Sequence, residues 1–123
     1  MSAQHYRHVV NEYARLMTAG DWQGVAALFA DDATVEDPVG SEPVRGIEAI
    51  TAFYKRNTKN PLTLELQGPA RVAGNEVAFP FIVSIEFEKK PVKIHVIDLF
   101  RFNDQGKVVS MRAYFDQDNF VPV

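Results

Sequence analysis

Residues 77–100, VAFPFIVSIEFEKKPVKIHVIDLF, decide how this chain folds. Val77, Phe79, Phe81, Val83, Ile85 and Phe87 recur at every second position, which sets them on one face of a strand. Such a run is long for a strand, which averages about 5–6 residues. Glu88-Lys89-Lys90-Pro91 reads as a hairpin turn, and a second alternating run follows with Val92, Ile94, Val96, Asp98 and Phe100 on one face. After the turn Asn103-Asp104-Gln105-Gly106, a last strand spans Val108 to Phe115.

Upstream of Pro61 the period is helical. Tyr6, Val9, Val10, Tyr13, Leu16 and Met17 fall within about 120° on a helical wheel, with Arg7, His8, Asn11, Glu12 and Arg15 opposite. Gly20 ends this helix, and Asp21 can cap a short second one that buries Trp22, Val25 and Leu28 or Phe29. Residues 31–45, DDATVEDPVGSEPVR, read as a short strand and a loop. A third helix follows Gly46, with Ile47, Ile50 and Phe53 or Tyr54 inward. Helices first and a long antiparallel meander after them predict an α+β fold with the helices packed on one concave face. Strands of this length twist and curl, so the expected shape is a cone with an open mouth.

The chain has 123 residues, 46% hydrophobic and 24% charged, which suits one domain over residues 1–123 with one core. Its 13 basic and 16 acidic residues give a net charge of −3 without a Lys/Arg block, so the electrostatic footprint of a nucleic-acid or anionic-membrane partner is missing. The absence of cysteine excludes disulfides, Cys-ligated zinc, iron–sulfur clusters and thiol nucleophiles. The start, MSAQHYRHVVNEYARL, is polar and periodic, unlike a signal peptide, and no stretch reaches a membrane span. The expectation is a soluble, cytoplasmic protein.

Three residues break the pattern. Asp98 is in register with Val96 and Phe100, so alternation sets a carboxyl on the apolar face. Such a group either keeps its proton, pairs with a buried cation, or marks a bulge. Tyr13 lies on the buried stripe, and its hydroxyl needs a partner, whether for structure or for chemistry. Asp37 precedes Pro38, which keeps its backbone extended, and Asp-Pro can simply start a turn. Asp31, Asp32 and Glu36 read as a solvated acidic loop, since no HxH or HExxH spacing accompanies them. The motifs GxSxG, GxGxxG and GxxxxGK[ST] are absent, which leaves serine hydrolase and phosphate-loop chemistry without support.

The run LFADDATVEDPVGSEP (28–43) resembles the bacterial Δ5-3-ketosteroid isomerases. So do NEYARLMTAGD (11–21), ITAFYKR (50–56) and VIDLFRFNDQGKVVSMRA (96–113), in the same order and spacing. The resemblance covers essentially the whole chain and implies the cone-shaped α+β fold of nuclear transport factor 2. It also implies a homodimer. By motif, Asp37 matches the family's general base, and Tyr13 and Asp98 match its two oxyanion donors. Tyr54 matches the tyrosine that hydrogen-bonds the catalytic one, while Phe29 stands where some members carry a further tyrosine. Phe53, Phe81, Phe100, Met111, Ala113 and Phe115 match pocket-lining positions.

The implied reaction moves one proton from C4 to C6 of a steroid through a dienolate, so neither cofactor nor metal is required. Donors fixed beforehand stabilise the charge developing on O3. Asp98 can donate only while protonated, and ketosteroid isomerases are themselves the standard example of an acid kept neutral in this way. The fold also hosts apolar-ligand binders, epoxide hydrolases, dehydratases, polyketide cyclases and protein-interaction modules. A dehydratase would want histidines in the cavity. Here His95 alternates to the face opposite Asp98, and His5 and His8 lie outside the central stripe.

Overall fold

The computed structural model describes residues 2–123. Along the chain run α1 (Ala3–Ala19), α2 (Trp22–Ala26), β1 (Phe29–Glu36), β2 (Val44–Arg45), α3 (Ile47–Asn57), β3 (Thr63–Leu66), β4 (Arg71–Ala73), β5 (Glu76–Phe87), β6 (Lys90–Phe102) and β7 (Val108–Tyr114). A 3₁₀ turn at Gln117–Asn119 leads into β8 (Phe120–Pro122).

Helix α1 forms for the reasons its sequence gives. Ser2 Oγ accepts a hydrogen bond from His5 N, and Gly20 closes the helix at φ +73°, a left-handed conformation that costs glycine little. The amides of Gly20 and Asp21 then bond Met17 O and Leu16 O, satisfying the last turn. All six residues of its apolar stripe are buried. Asp21 Oδ1 accepts from Gly24 N and starts α2, where Val25 is buried; Phe29 belongs to β1 instead. Helix α3 starts after Gly46 with Glu48 in its first turn and ends with Lys55 and Arg56, an arrangement that suits its dipole. It buries Ile50 and Tyr54 and leaves Phe53 partly covered.

The sheet runs β2-β1-β7-β6-β5-β3, with β4 also on β5 and β8 on β6. The expected β5–β6–β7 antiparallel meander is present, but the sheet is mixed. Strand β1 joins β7 in parallel, with Val35 opposite Met111 and Glu36 opposite Arg112. This pairing becomes possible because α3 and most of the sheet intervene between the strands, a connection long enough for a parallel crossover. The hairpin is tighter than expected. Glu88 and Lys89 alone form the turn, at φ +50° and +65°, while Lys90 and Pro91 already pair with Phe87 and Glu86. A two-residue turn with positive φ matches strand twist, which a looser four-residue turn would not.

The helices cover only part of the concave face. Beneath them, Tyr13, Phe79 and Phe100 meet edge to face at 4.9–6.1 Å between ring centroids, and Tyr6 stacks on Phe102 at 4.3 Å. Inward residues on β5 go from buried (Val77, Phe79, Phe81) to partly exposed (Val83, Ile85), and Phe87 is 60% exposed. The strand outruns the helices, and its far half forms a cavity wall instead of core.

Candidate active site

A cavity of about 250 Å³ opens beside α1 and α3 over the middle of the sheet. Tyr13 enters it from α1, with Met17 one turn later on the same face. Tyr54 enters from α3, Asp37 from the segment after β1, and Asp98 from the middle of β6. Phe81, Val83, Val96 and Phe115 supply apolar wall.

Asp98 is 1% exposed, and neither carboxyl oxygen has a hydrogen-bond partner among the described residues. Its ladder neighbours are Phe79 on β5 and Ala113 on β7, so no cation faces it from either strand. Desolvation, and secondarily the charge of Asp37, pushes its pKa well above the usual carboxylate range. Of the three options open to it, the first fits best: no cation faces it, the ladder has no bulge there, and burial drives the carboxyl toward its protonated form.

Asp37 sits where β1 leaves the sheet. Val39 N bonds Ala113 O at 2.8 Å, and Gly40 N bonds Glu36 Oε2 at 3.1 Å, which together fix the segment that carries it. Glu36 also faces Arg112 at 3.7 Å, so the nearby cation is turned to Glu36 on the outer side. Desolvation raises Asp37 to about 6. Two carboxyl groups with raised pKa values in one cavity are the kind of pair that can divide the acid and base roles of proton transfer.

Tyr13 Oη lies 3.1 Å from Tyr54 Oη. Desolvation is the main cause that pushes both phenols well above 10, with the two aspartates adding to it. They remain O–H donors at any working pH. Tyr54 is braced by Phe53 at 5.1 Å and by Phe29 at 5.5 Å between centroids.

The structure therefore brings Tyr13, Asp37, Tyr54, Asp98, Phe81 and Phe115 to one cavity. Phe53 and Phe100 lie behind it, packed on the tyrosines, and Met111 and Ala113 are buried in β7 beneath it. Sequence reasoning placed Met17 only on the buried helix stripe and did not single out Asn57, Leu62 or Leu64, and all four also line the cavity. Leu62, Leu64 and Leu66 alternate, and that signal would have found β3; Asn57 follows Tyr54 by three residues on the same helix face.

Residues 10–111 match the SnoaL-like domain family. The chain belongs to that family. It is 36% identical over 121 residues to the steroid delta-isomerase of Nocardioides simplex, covering 98% of this chain and 97% of that protein. It is also 31% identical over 112 residues to the epoxide hydrolase LasB of Streptomyces lasalocidi, matching 87% of this chain but 40% of LasB. A solved structure of SalBIII, an epoxide hydrolase/cyclase-like enzyme of pyran ring formation in polyether salinomycin, superposes with a TM-score of 0.91 at 27% identity, over the full length of both chains. These relatives are enzymes of the nuclear transport factor 2-like superfamily, which agrees with the cone-like α+β architecture. Among the described residues no helix is long and apolar enough to cross a membrane.

Proposed function

We propose that this protein isomerises Δ5-3-ketosteroids to their conjugated Δ4 forms. The observation that carries the reading is the pairing, in one apolar cavity, of a buried Asp98 whose oxygens have no hydrogen-bond partner among the described residues and an ionisable Asp37. Asp37 as carboxylate takes the proton from C4, next to the carbonyl. Electron density moves onto O3 as the dienolate forms, and Tyr13 and protonated Asp98 donate to it. Tyr54 holds the Tyr13 hydroxyl. The C3 carbonyl then reforms as the dienolate collapses, and C6 takes the proton back from Asp37. Donors aimed in advance at a developing oxyanion act most strongly where water is excluded. The near-full-length similarity to a steroid delta-isomerase supports the same reading.

A second reading, epoxide opening, draws support from the similarity to LasB and SalBIII. Asp98 would protonate the epoxide oxygen while Asp37 accepts the proton of an incoming hydroxyl. The Tyr13–Tyr54 pair favours isomerisation. Phenols held well above 10 suit an oxyanion that is stabilised and never protonated. Incubation with 5-androstene-3,17-dione, followed by the ultraviolet absorbance of the conjugated enone, tests the proposal. No enone formation, together with turnover of a hydroxy-epoxide, would give the second reading instead. The homodimer belongs to this proposal as well: Ile97 and Tyr114, paired on the outer sheet face, are 49% and 43% exposed. Sedimentation equilibrium at micromolar concentration checks it, and a monomer would refute it.

A further inference from the structure

The inner cavity is small for its proposed substrate. About 250 Å³ falls below the ~300–1,000 Å³ typical of sites that enclose drug-sized ligands. A rigid four-ring molecule with its carbonyl at Tyr13 and Asp98 must therefore project through the mouth. Beyond the mouth lies an open groove of about 690 Å³, and Leu62 and Ile85 line both spaces, so the two are continuous.

Five polar side chains line the cavity, and four have been given roles: Tyr13, Asp37, Tyr54 and Asp98. The fifth is Asn57. It is exposed, so it lies at the rim, and it stands three residues after Tyr54 on α3. Three residues are about 4.5 Å of helix rise and nearly one turn, so the helix presents both side chains to the same space at different depths. The neighbouring hydroxyls are occupied elsewhere: Thr51 Oγ1 donates to Ile47 O and Thr58 Oγ1 to Tyr54 O. Leu62, Ile85 and Ile94 line the same cavity, and the polar residues of the groove beyond, Asn60, Thr63, Ser84, Glu86 and Lys93, do not line it.

We infer that Asn57 determines specificity: its side-chain amide hydrogen-bonds an oxygen on the end of the substrate remote from the reacting carbonyl. This names the substrate class as steroids oxygenated at that end, and it rests on the isomerase reading. The amide both donates and accepts, so it takes a ketone or a hydroxyl. The contact is made equally in the ground and transition states, so it acts on binding and not on the chemical step.

Calorimetric binding of 4-androstene-3,17-dione and of 4-androsten-3-one, which lacks the distal oxygen, tests the inference in the full-length protein. Asn57→Leu should raise Kd for the 17-ketone about three- to tenfold, the loss of one hydrogen bond, and change Kd for the deoxy ligand less than about twofold. Asn57→Asp, which keeps the size but loses the donor, should weaken the 17-ketone and still bind the 17β-hydroxy ligand. Equal weakening of ketone and deoxy ligands by Asn57→Leu would reveal simple packing and overturn the inference, as would unchanged affinity for both. The Kd pattern without turnover of either Δ5 ketone would sink the isomerase reading and keep the contact. Turnover with Kd values indifferent to Asn57 would do the reverse, and no binding of the 17-ketone by the wild type would overturn both.

Discussion

Asp98 stands opposite Ala113 in the β6–β7 ladder, and the carbonyl of that alanine accepts the Val39 amide, two residues past Asp37. One small residue of β7 thus lies between the acid and the segment that carries the base. Ala113 is 2% exposed and is paired with Asp98 across the ladder, so a larger side chain there must crowd its buried neighbours, Asp98 among them. Ala113→Leu should cost about 1–3 kcal/mol of stability by overpacking and should lower kcat further than that loss explains. Denaturant unfolding and turnover per folded molecule check it; full kcat in the folded variant would mean that the spacing is unimportant.

Removal of the Asp37 carboxylate should separate activity from stability. Asp37→Asn should lower turnover by about 10²–10⁴-fold or more while leaving ligand affinity intact. Burial raises Asp37 from 3.8 to about 6, so the folded state binds the proton more tightly than the unfolded chain. Stability from this group is present below the unfolded value and is lost as pH rises through about 6, a total of about 3 kcal/mol. Asn carries no such penalty. The variant should therefore be more stable than the wild type at about pH 8, with the difference shrinking toward about pH 4. Wild-type kcat/KM should rise with pH through about 6 for the same reason. Melting curves at two pH values decide the matter.

Tyr13→Phe should lower kcat by about 10²–10³-fold, the usual cost of one oxyanion donor, with little change in Tm because the ring stays packed on Phe100. Tyr54→Phe removes only the partner of Tyr13 at 3.1 Å and should cost about tenfold or less. A larger loss in Tyr54→Phe than in Tyr13→Phe would mean that Tyr54, not Tyr13, faces the oxyanion.

The hairpin gives a prediction that is independent of chemistry. Glu88 and Lys89 both adopt positive φ, which suits Asn and Gly far better. Glu88→Asn with Lys89→Gly should raise stability by about 1–2 kcal/mol with kcat unchanged, as urea unfolding would reveal.

How far the sequence speaks depends on what each residue's neighbours are. The α1 stripe and the β5–β6 alternation are local periodicities, and they gave the α+β architecture and set Asp98 inward. Strand β1 lies parallel to β7 because of contacts between residues far apart in the chain, such as Val35 with Met111, and no local pattern encodes such a pairing. Likewise Val83, Ile85 and Ile94 alternate as core residues do, yet they line open space. Period two reports which face a residue takes, not whether anything covers that face. Asn57 was invisible because an exposed polar residue at a helix end is the commonest kind; only the cavity beside it gives it meaning.

Asp98 offers the last prediction, in which two properties should move in opposite directions. Both its oxygens are buried with no hydrogen-bond partner among the described residues, which is unfavourable for folding whichever way the group is protonated. Burial raises its pKa and so favours the protonated, donating form, and Asn is a donor of nearly equal size. Asp98→Asn should keep far more activity than Asp98→Ala or Asp98→Leu. Asp98→Leu removes the buried polar atoms and fills the same row as Val96 and Phe100, so its Tm should equal or exceed that of the wild type. Its kcat should still fall by about 10²–10³-fold, as for loss of one oxyanion donor. If Asp98 were instead an ionised member of a hidden pair, Asn and Leu would both strand a cation and lower stability by several kcal/mol. Melting temperature and kcat of the Asn, Ala and Leu variants, measured together, separate the cases. A less stable Asp98→Leu with unchanged turnover per folded molecule would remove Asp98 from the oxyanion site.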